Sequence, residues 1–310
     1  MDARFPLRAS VYGAMTTTTE RVELCSGELR FSAHACGEGP TVLFIHGFPD
    51  VPETWVHQMQ ACAEGGYRAV AVTARGYEGS SQPHDDNYRV PSMAADVVAW
   101  LESLNVEKAH VVGHDWGAVI ARAAVAAAPD RFQSLCMMAV PNGTRVAKAM
   151  LRSPRQLWLS RYMLFFQLRG VAERRLRAND YAFVDKLWRR WSPGWDYDPM
   201  LTSRVRKTLS EPGVLTAALA YYRQSLGAVS EEAQEAFALA GRPVSVPCLA
   251  LNGALDGCID SSVFRSCMPA GDYPKGLALH TLPGVGHFLH LEAPGTVNQL
   301  LLEWLRSHSG

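Results

Sequence analysis

Residues 109–128 read AHVVGHDWGAVIARAAVAAA, and this stretch decides the fold. Ala109–Gly113 is a short apolar run of the kind that forms a strand buried on both faces. Ala118–Ala128 is a run of small helix formers, stopped by Pro129. Between them lies Gly113-His114-Asp115-Trp116-Gly117, a strand-to-helix turn with a carboxylate at its centre. Its two glycines permit a tight connection that lifts Asp115 above the sheet edge. The helix that follows points its first N–H groups at the same place. A plainer reading of the pentapeptide alone is an Asp N-cap opening a helix.

Working outward, strand and helix patterns alternate. Arg21–Ala35 alternates around Ser26-Gly27 as a hairpin would. Thr41–His46 and Arg68–Thr73 are buried-strand runs, separated by a helix over Val56–Gly65. Ser92 is the expected N-cap of a helix carrying Ala95, Val98, Leu101 and Leu104 on one face. Leu135–Val140, Pro247–Asn252 and Leu277–Leu282 read as further strands, and a final helix spans about 296–306. Such alternation predicts an α/β fold: a mostly parallel central sheet with helices on both faces. From Asn142 to Gly241 the strands stop and helical segments rich in Arg, Trp and Tyr replace them. The expected organisation is a tail (1–20), the first part of the core (21–141), a helical cap or lid (142–241) and the second part of the core (242–310). Met15, followed by four threonines, is either a second start or part of the tail.

Two later loops bear on Asp115. Asp256 lies just beyond the strand Pro247–Asn252, and His287 sits in Pro283-Gly284-Val285-Gly286-His287 after the next strand. In an open parallel sheet the loops after strand C-termini converge on one edge, so three residues distant in sequence can meet there. The order nucleophile, acid, histidine is that of the α/β-hydrolase triad. Asp260 is an alternative orienting acid and His290 an alternative base. His46 and His114 are read as structural, and Trp55, Trp100 and Trp304 as core.

Composition narrows the functional classes. The 310 residues contain 30 Lys+Arg and 30 Asp+Glu, a balance that argues against a nucleic-acid partner. No apolar stretch is long enough for a membrane span, and the start lacks the apolar core of a secretory signal. Seven cysteines, without a CxxC pair, point to buried free thiols in a reducing compartment, the cytoplasm. They lack the ligand spacing of a structural zinc site, so no metal is expected.

The chain resembles the α/β-hydrolases of the epoxide hydrolase group over roughly residues 21–306. Besides GHDWG, His46-Gly47-Phe48-Pro49 is similar to that family's HGxP turn, and Arg75-Gly76-Tyr77-Glu78-Gly79-Ser80 to its RGYGxS stretch. The family holds the epoxide oxygen with two cap tyrosines. One is resembled by Tyr162 in Tyr162-Met163-Leu164-Phe165-Phe166-Gln167, the other by Tyr222 in Tyr221-Tyr222-Arg223, where Ala220 replaces an Asn. Leu168-Arg169-Gly170 departs from relatives that carry Pro before the Gly.

The resemblance implies a definite chemistry. Asp115 would open an epoxide and form an alkyl ester with the enzyme. Tyr162 and Tyr222 would donate to the developing alkoxide, since a phenol keeps its proton at neutral pH. His287, oriented by Asp256, would activate the water that hydrolyses the ester. Backbone N–H groups of Phe48 and Trp116 would hold the oxyanion, and Trp116, Phe48, Phe165 and Phe166 would contact substrate. The expected partners are an epoxide and water, with a homo-oligomer left open; the product is a vicinal diol, and no cofactor is needed. Haloalkane or haloacid dehalogenases share the Asp and His. However, haloalkane dehalogenases commonly carry Asn at the position of Phe48, and fluoroacetate dehalogenases Arg at that of Trp116. A non-catalytic ligand receptor on the same scaffold would tolerate loss of a catalytic residue, yet all five are present.

The neutral balance conceals an asymmetry. Residues 142–241 hold 16 Lys+Arg against 9 Asp+Glu, the remainder 14 against 21. A basic insertion over an acidic core could be docked by its charge. The alternative is that Arg174, Arg175, Arg177, Arg189 and Arg190 form a solvated face.

Overall fold

A computed structural model describes residues 19–150, 152–225 and 231–309. The tail expected at 1–20 lies, except for its last two residues, outside the described residues. The chain runs β1 (Glu20–Ser26), β2 (Leu29–Cys36), β3 (Thr41–Ile45), α1 (Val56–Glu64), β4 (Arg68–Val72), α2 (Val90–Ser103), β5 (Ala109–His114), α3 (Trp116–Ala127) and β6 (Phe132–Met138). Seven helices follow: α4 (Gly143–Met150), α5 (Pro154–Leu159), α6 (Arg161–Phe166), α7 (Val171–Trp191), α8 (Pro199–Ser210), α9 (Val214–Ser225) and α10 (Glu231–Gly241). The core resumes with β7 (Cys248–Gly253), α11 (Ser261–Ser266), β8 (Leu277–Leu282), α12 (Leu289–Glu292) and α13 (Pro294–His308).

The eight strands form one sheet in the order β1-β2-β4-β3-β5-β6-β7-β8. The hairpin β1–β2 and the pair β2–β4 are antiparallel, and every other pair is parallel. The α/β architecture expected from the alternating pattern is therefore present. Side chains of a strand alternate between faces, and the central strands bury both sets. Leu43, Ile45, Val70 and Val72 pack with Met93, Val97 and Trp100 of α2 and Ile120 of α3. Val42, Phe44, Ala69 and Ala71 pack with Met59 of α1 and Val297, Leu301 and Leu305 of α13.

Local boundaries differ in instructive ways. Ser92 does not cap α2, which begins two residues earlier after Arg89. Pro91 already sits in the first turn, where its fixed φ suits a helix and its missing N–H costs nothing. Trp55 and Trp100 are core, whereas Trp304 is only half-buried and stacks on His308. In α7 the backbone leaves helical geometry at residues 178–181, where Asn179, Asp180 and Tyr181 take positive φ.

The insertion is joined to the core by packing more than by the named arginines. Arg174, Arg175, Arg177 and Arg189 are exposed, as a solvated face would be. Ion pairs that tie the insertion to the core come from elsewhere, from Arg145 to Asp272 (2.6 Å) and Arg155 to Asp260 (2.7 Å). α10 lies against α2 and α3, and buried Arg122 of α3 donates to the Leu239 and Arg242 carbonyls at its C-terminal end, where a cation is favoured.

Candidate active site

Asp115 occupies the turn between β5 and α3 with φ +52° and ψ −119°, a conformation costly for a non-glycine residue. A Cβ at Gly113 would run into the backbone of Gly117, and one at Gly117 into the Ile45 carbonyl. Only glycines let the strand, the turn and the helix pass this closely. Although Asp115 stands at the N-cap position, its side chain makes no capping bond. Its Oδ1 instead accepts the Phe48 N–H at 2.9 Å.

Three loops meet over this carboxylate. Nε2 of His287 stands 3.6 Å from Asp115 Oδ2, and Nδ1 lies 2.9 Å from Asp256 Oδ2. All three residues are buried. Asp256 is in turn fixed by N–H donors from Cys258 (2.7 Å) and Ile259 (3.0 Å) to its Oδ1. Burial alone would hold His287 neutral. The Asp256 charge and hydrogen bond, together with the nearby Asp115 carboxylate, outweigh it and raise the imidazole to about 10.

Asp260 caps α11 through the Ser262 N–H and pairs with Arg155, away from His287. His290 stacks on Trp55 and has its Nε2 3.8 Å from Asp50. His46 accepts the Ala74 N–H at Nε2 and bonds the Gly47 carbonyl through Nδ1. His114 bonds the His287 carbonyl through Nε2 at 3.0 Å. The Tyr221 hydroxyl donates to the Arg75 carbonyl at 2.6 Å, whereas Tyr222 faces a cavity.

That cavity, about 870 Å³, is lined by Asp115, Trp116, Tyr162, Tyr222 and Cys258 together with aliphatic side chains such as Val119, Val146, Met150 and Leu164. The Tyr162 and Tyr222 rings lie 5.8 Å apart. Burial pushes both phenols well above their ordinary pKa, and the Asp115 charge pushes the same way. The Tyr162 hydroxyl meets Cys258 Sγ at 3.4 Å. That of Tyr222 lies beside the Trp116 side chain, which counters part of the burial effect.

Of the expected substrate contacts, Trp116 lines the cavity, but Phe48, Phe165 and Phe166 do not. Phe48 and Phe166 pack edge-on behind Tyr222, and Phe165 faces Phe183. Nor do tryptophans of the insertion line it: Trp188 and Trp191 are buried against Phe288 and His287. Their rings dock the insertion on the core.

Several residues that brace the site carried no motif. The Trp191 carbonyl, at the end of α7, accepts N–H bonds from both Gly257 and His287, tying the acid and histidine loops together. Gln156 of α5 bonds the Cys258 carbonyl and the Asp260 N–H. Ser192 and Glu292 bond the backbone on either side of His287, at Phe288 and Gly286. Cys258 was the one within reach of sequence reasoning, two residues past Asp256.

The α/β-hydrolase fold family model matches residues 40–294. An epoxide hydrolase of Caballeronia sordidicola is 31% identical, over 87% of this chain and 89% of the relative. The chain belongs to the epoxide hydrolase family. Another relative, the AB hydrolase superfamily protein YfhM of Bacillus subtilis, is 29% identical over 90% of this chain and 94% of its own. An epoxide hydrolase from an endophytic Streptomyces superimposes with a TM-score of 0.77 at 29% identity, covering 93% and 95% of the two chains. Like these family members, the chain is a hydrolase, and no helix among its described residues is long and apolar enough to cross a membrane.

Proposed function

We propose that the chain hydrolyses an epoxide to a vicinal diol through an ester on Asp115. The observation that carries this reading is the pair of buried phenols lining the same cavity as Asp115, behind which His287 and Asp256 follow in line. Asp115 Oδ1 is held by the Phe48 N–H, which leaves Oδ2 to attack a ring carbon. As the C–O ester bond forms, the ring C–O bond breaks and its electron pair goes to the ring oxygen. Tyr162 and Tyr222, kept as phenols by burial, donate to that oxygen and supply its proton.

Alkylation changes the electrostatics around His287. The resting imidazole lies between two carboxylates that favour its charged form; an ester at Asp115 removes one of them. Its proton affinity falls, so it gives up its proton, which restores the phenol that protonated the ring oxygen, and the neutral ring can then take a proton from water. The water attacks Cγ of Asp115, and the negative charge develops on Oδ1 against the Phe48 N–H. The N–H of Trp116 is the second donor in this scheme, being at the start of α3 where no intrahelical acceptor exists. Collapse breaks the bond to the alkyl oxygen, which leaves as the second diol hydroxyl with a proton from His287, and the acid left on Asp115 ionises and returns its proton to His287. Residues 142–241 act in this reading as a cap that excludes bulk water. With its seven cysteines unpaired, we place the enzyme in a reducing compartment, the cytoplasm.

The test is an Asp115→Asn variant beside the parent protein, on aryl and aliphatic epoxides and on chloro- and fluoro-substrates. Diol formation from epoxides that disappears in the variant is the expected result. Unchanged diol formation in the variant, or halide release without diol from the parent, would overturn the reading.

A further inference from the structure

The insertion also carries an apolar surface that this chemistry does not use. Leu157 and Trp158 of α5, Leu164 of α6, Leu168 in the connection that follows and Val171 at the start of α7 are each between 45% and 64% exposed. Helical spacing turns Tyr162 and Phe166 inward and these side chains outward. Single exposed apolar residues are ordinary, but five within residues 157–171 are a concentration of the kind that marks an interaction surface. Leu157 and Leu164 also line the cavity that holds Asp115, where exposed Phe237 of α10 joins them. The patch is therefore continuous with the cavity mouth.

Its charge selects the partner. Residues 152–177 contain seven arginines, of which Arg155 is taken by Asp260, and one acid, Glu173. That acid is turned away to Arg223 at 2.7 Å, while Arg174 and Arg175 beside it are exposed. The Arg161 guanidinium lies 3.7 Å over the Trp158 ring, holding a cation and an indole at one height. Rings with a polar edge and cations with apolar stems favour the boundary between headgroups and acyl chains. Self-association through this face would set arginine against arginine. An anionic bilayer supplies both apolar depth and negative charge.

We propose that this face docks on an anionic lipid bilayer, with Trp158, Leu164 and Leu168 entering the headgroup boundary and the arginines engaging lipid phosphates. The cavity mouth then opens toward the membrane.

Co-sedimentation of the full chain with phosphatidylcholine vesicles, with and without phosphatidylglycerol, tests this. Binding is expected only with phosphatidylglycerol, weakening with salt, and with a blue shift of tryptophan emission that Trp158→Phe removes. An interfacial arginine contributes about fivefold, so Arg174→Glu with Arg175→Glu is expected to weaken binding by about tenfold or more. Trp158→Glu with Leu164→Glu should abolish it. Absent binding to the anionic vesicles, or binding unchanged in both double variants, overturns the proposal. So does a dimer that Trp158→Glu splits into monomers while vesicles remain unbound, which would give the face to a second copy of the chain.

Discussion

Nε2 of His287 stands 3.6 Å from Oδ2 of Asp115, with both side chains buried. In the proposed sequence of steps this pairing separates two half-reactions. Asp115 can be alkylated without His287 acting as a base, but the ester cannot be hydrolysed without it. A His287→Gln variant is therefore expected to trap the ester. Intact-protein mass after incubation with an epoxide should rise by one substrate mass, and turnover should fall by about 10²–10⁴. A variant that neither gains mass nor loses turnover would refute this role.

The same pairing sets a pH dependence. The imidazole is raised from the ordinary 6.5 to about 10 by Asp256 and Asp115 against the opposing effect of burial. A group whose folded pKa is raised contributes stability that is complete below its unfolded pKa, here about 6.5, and is lost as pH climbs through the folded value. Thermal stability should thus decline between about pH 6.5 and 10. In Asp115→Asn one anion is gone, so the imidazole should titrate lower and that decline should shrink. Imidazole NMR titration and melting curves across this range check both statements.

Ring opening should depend on Tyr222 and ester hydrolysis should not. Tyr222→Phe is expected to slow single-turnover alkylation by about 10²–10⁴, with decay of a preformed ester largely kept. Equal slowing of both phases would mean that the phenol serves packing against Phe48, Phe166 and Trp116 instead.

The strand-to-helix turn leaves no room for a side chain at Gly117. Gly117→Ala should destabilise the protein by about 1–3 kcal/mol through the clash with the Ile45 carbonyl. The midpoint of urea denaturation gives the value, and an unchanged midpoint would show that the turn relaxes.

Arg75 and Asp96 form a two-point ion pair of 2.6 and 2.7 Å, with Asp96 almost fully buried. Asp96→Ala leaves the guanidinium without its counter-charge and is expected to cost about 3–5 kcal/mol. The Tyr221 hydroxyl bonds the Arg75 carbonyl, so insertion and core should loosen together, seen as faster proteolysis of the insertion.

Much of this was legible before the structure because local pattern and tertiary role agree. Buried parallel strands are continuous apolar runs, and the turn at Asp115 announces itself by two glycines that nothing larger could replace. The start of α2 was misplaced because Ser92 is a good cap in isolation, while Pro91 and Val90 are equally good first-turn residues. The neutral sum of charges hid the difference between residues 142–241 and the remainder, which counting by segment exposed. It did not reveal that Arg174 and Arg175 face solvent while Arg145 and Arg155 reach the core.

By itself the sequence determined the strand–helix alternation, the position of the helical insertion and the chain order Asp115, Asp256, His287. These follow from periodicity and from glycine's freedom at a crowded turn, both properties of neighbours along the chain. Only the tertiary structure decided which tyrosine of 221–222 faces the cavity, since adjacent helical residues point about 100° apart and either could face inward. It likewise decided that Asp256 rather than Asp260 meets His287, and that Phe48 and Phe166 stand behind Tyr222. Those choices depend on which loops converge over the sheet edge, and residues as far apart as Asp115 and His287 carry no local trace of one another.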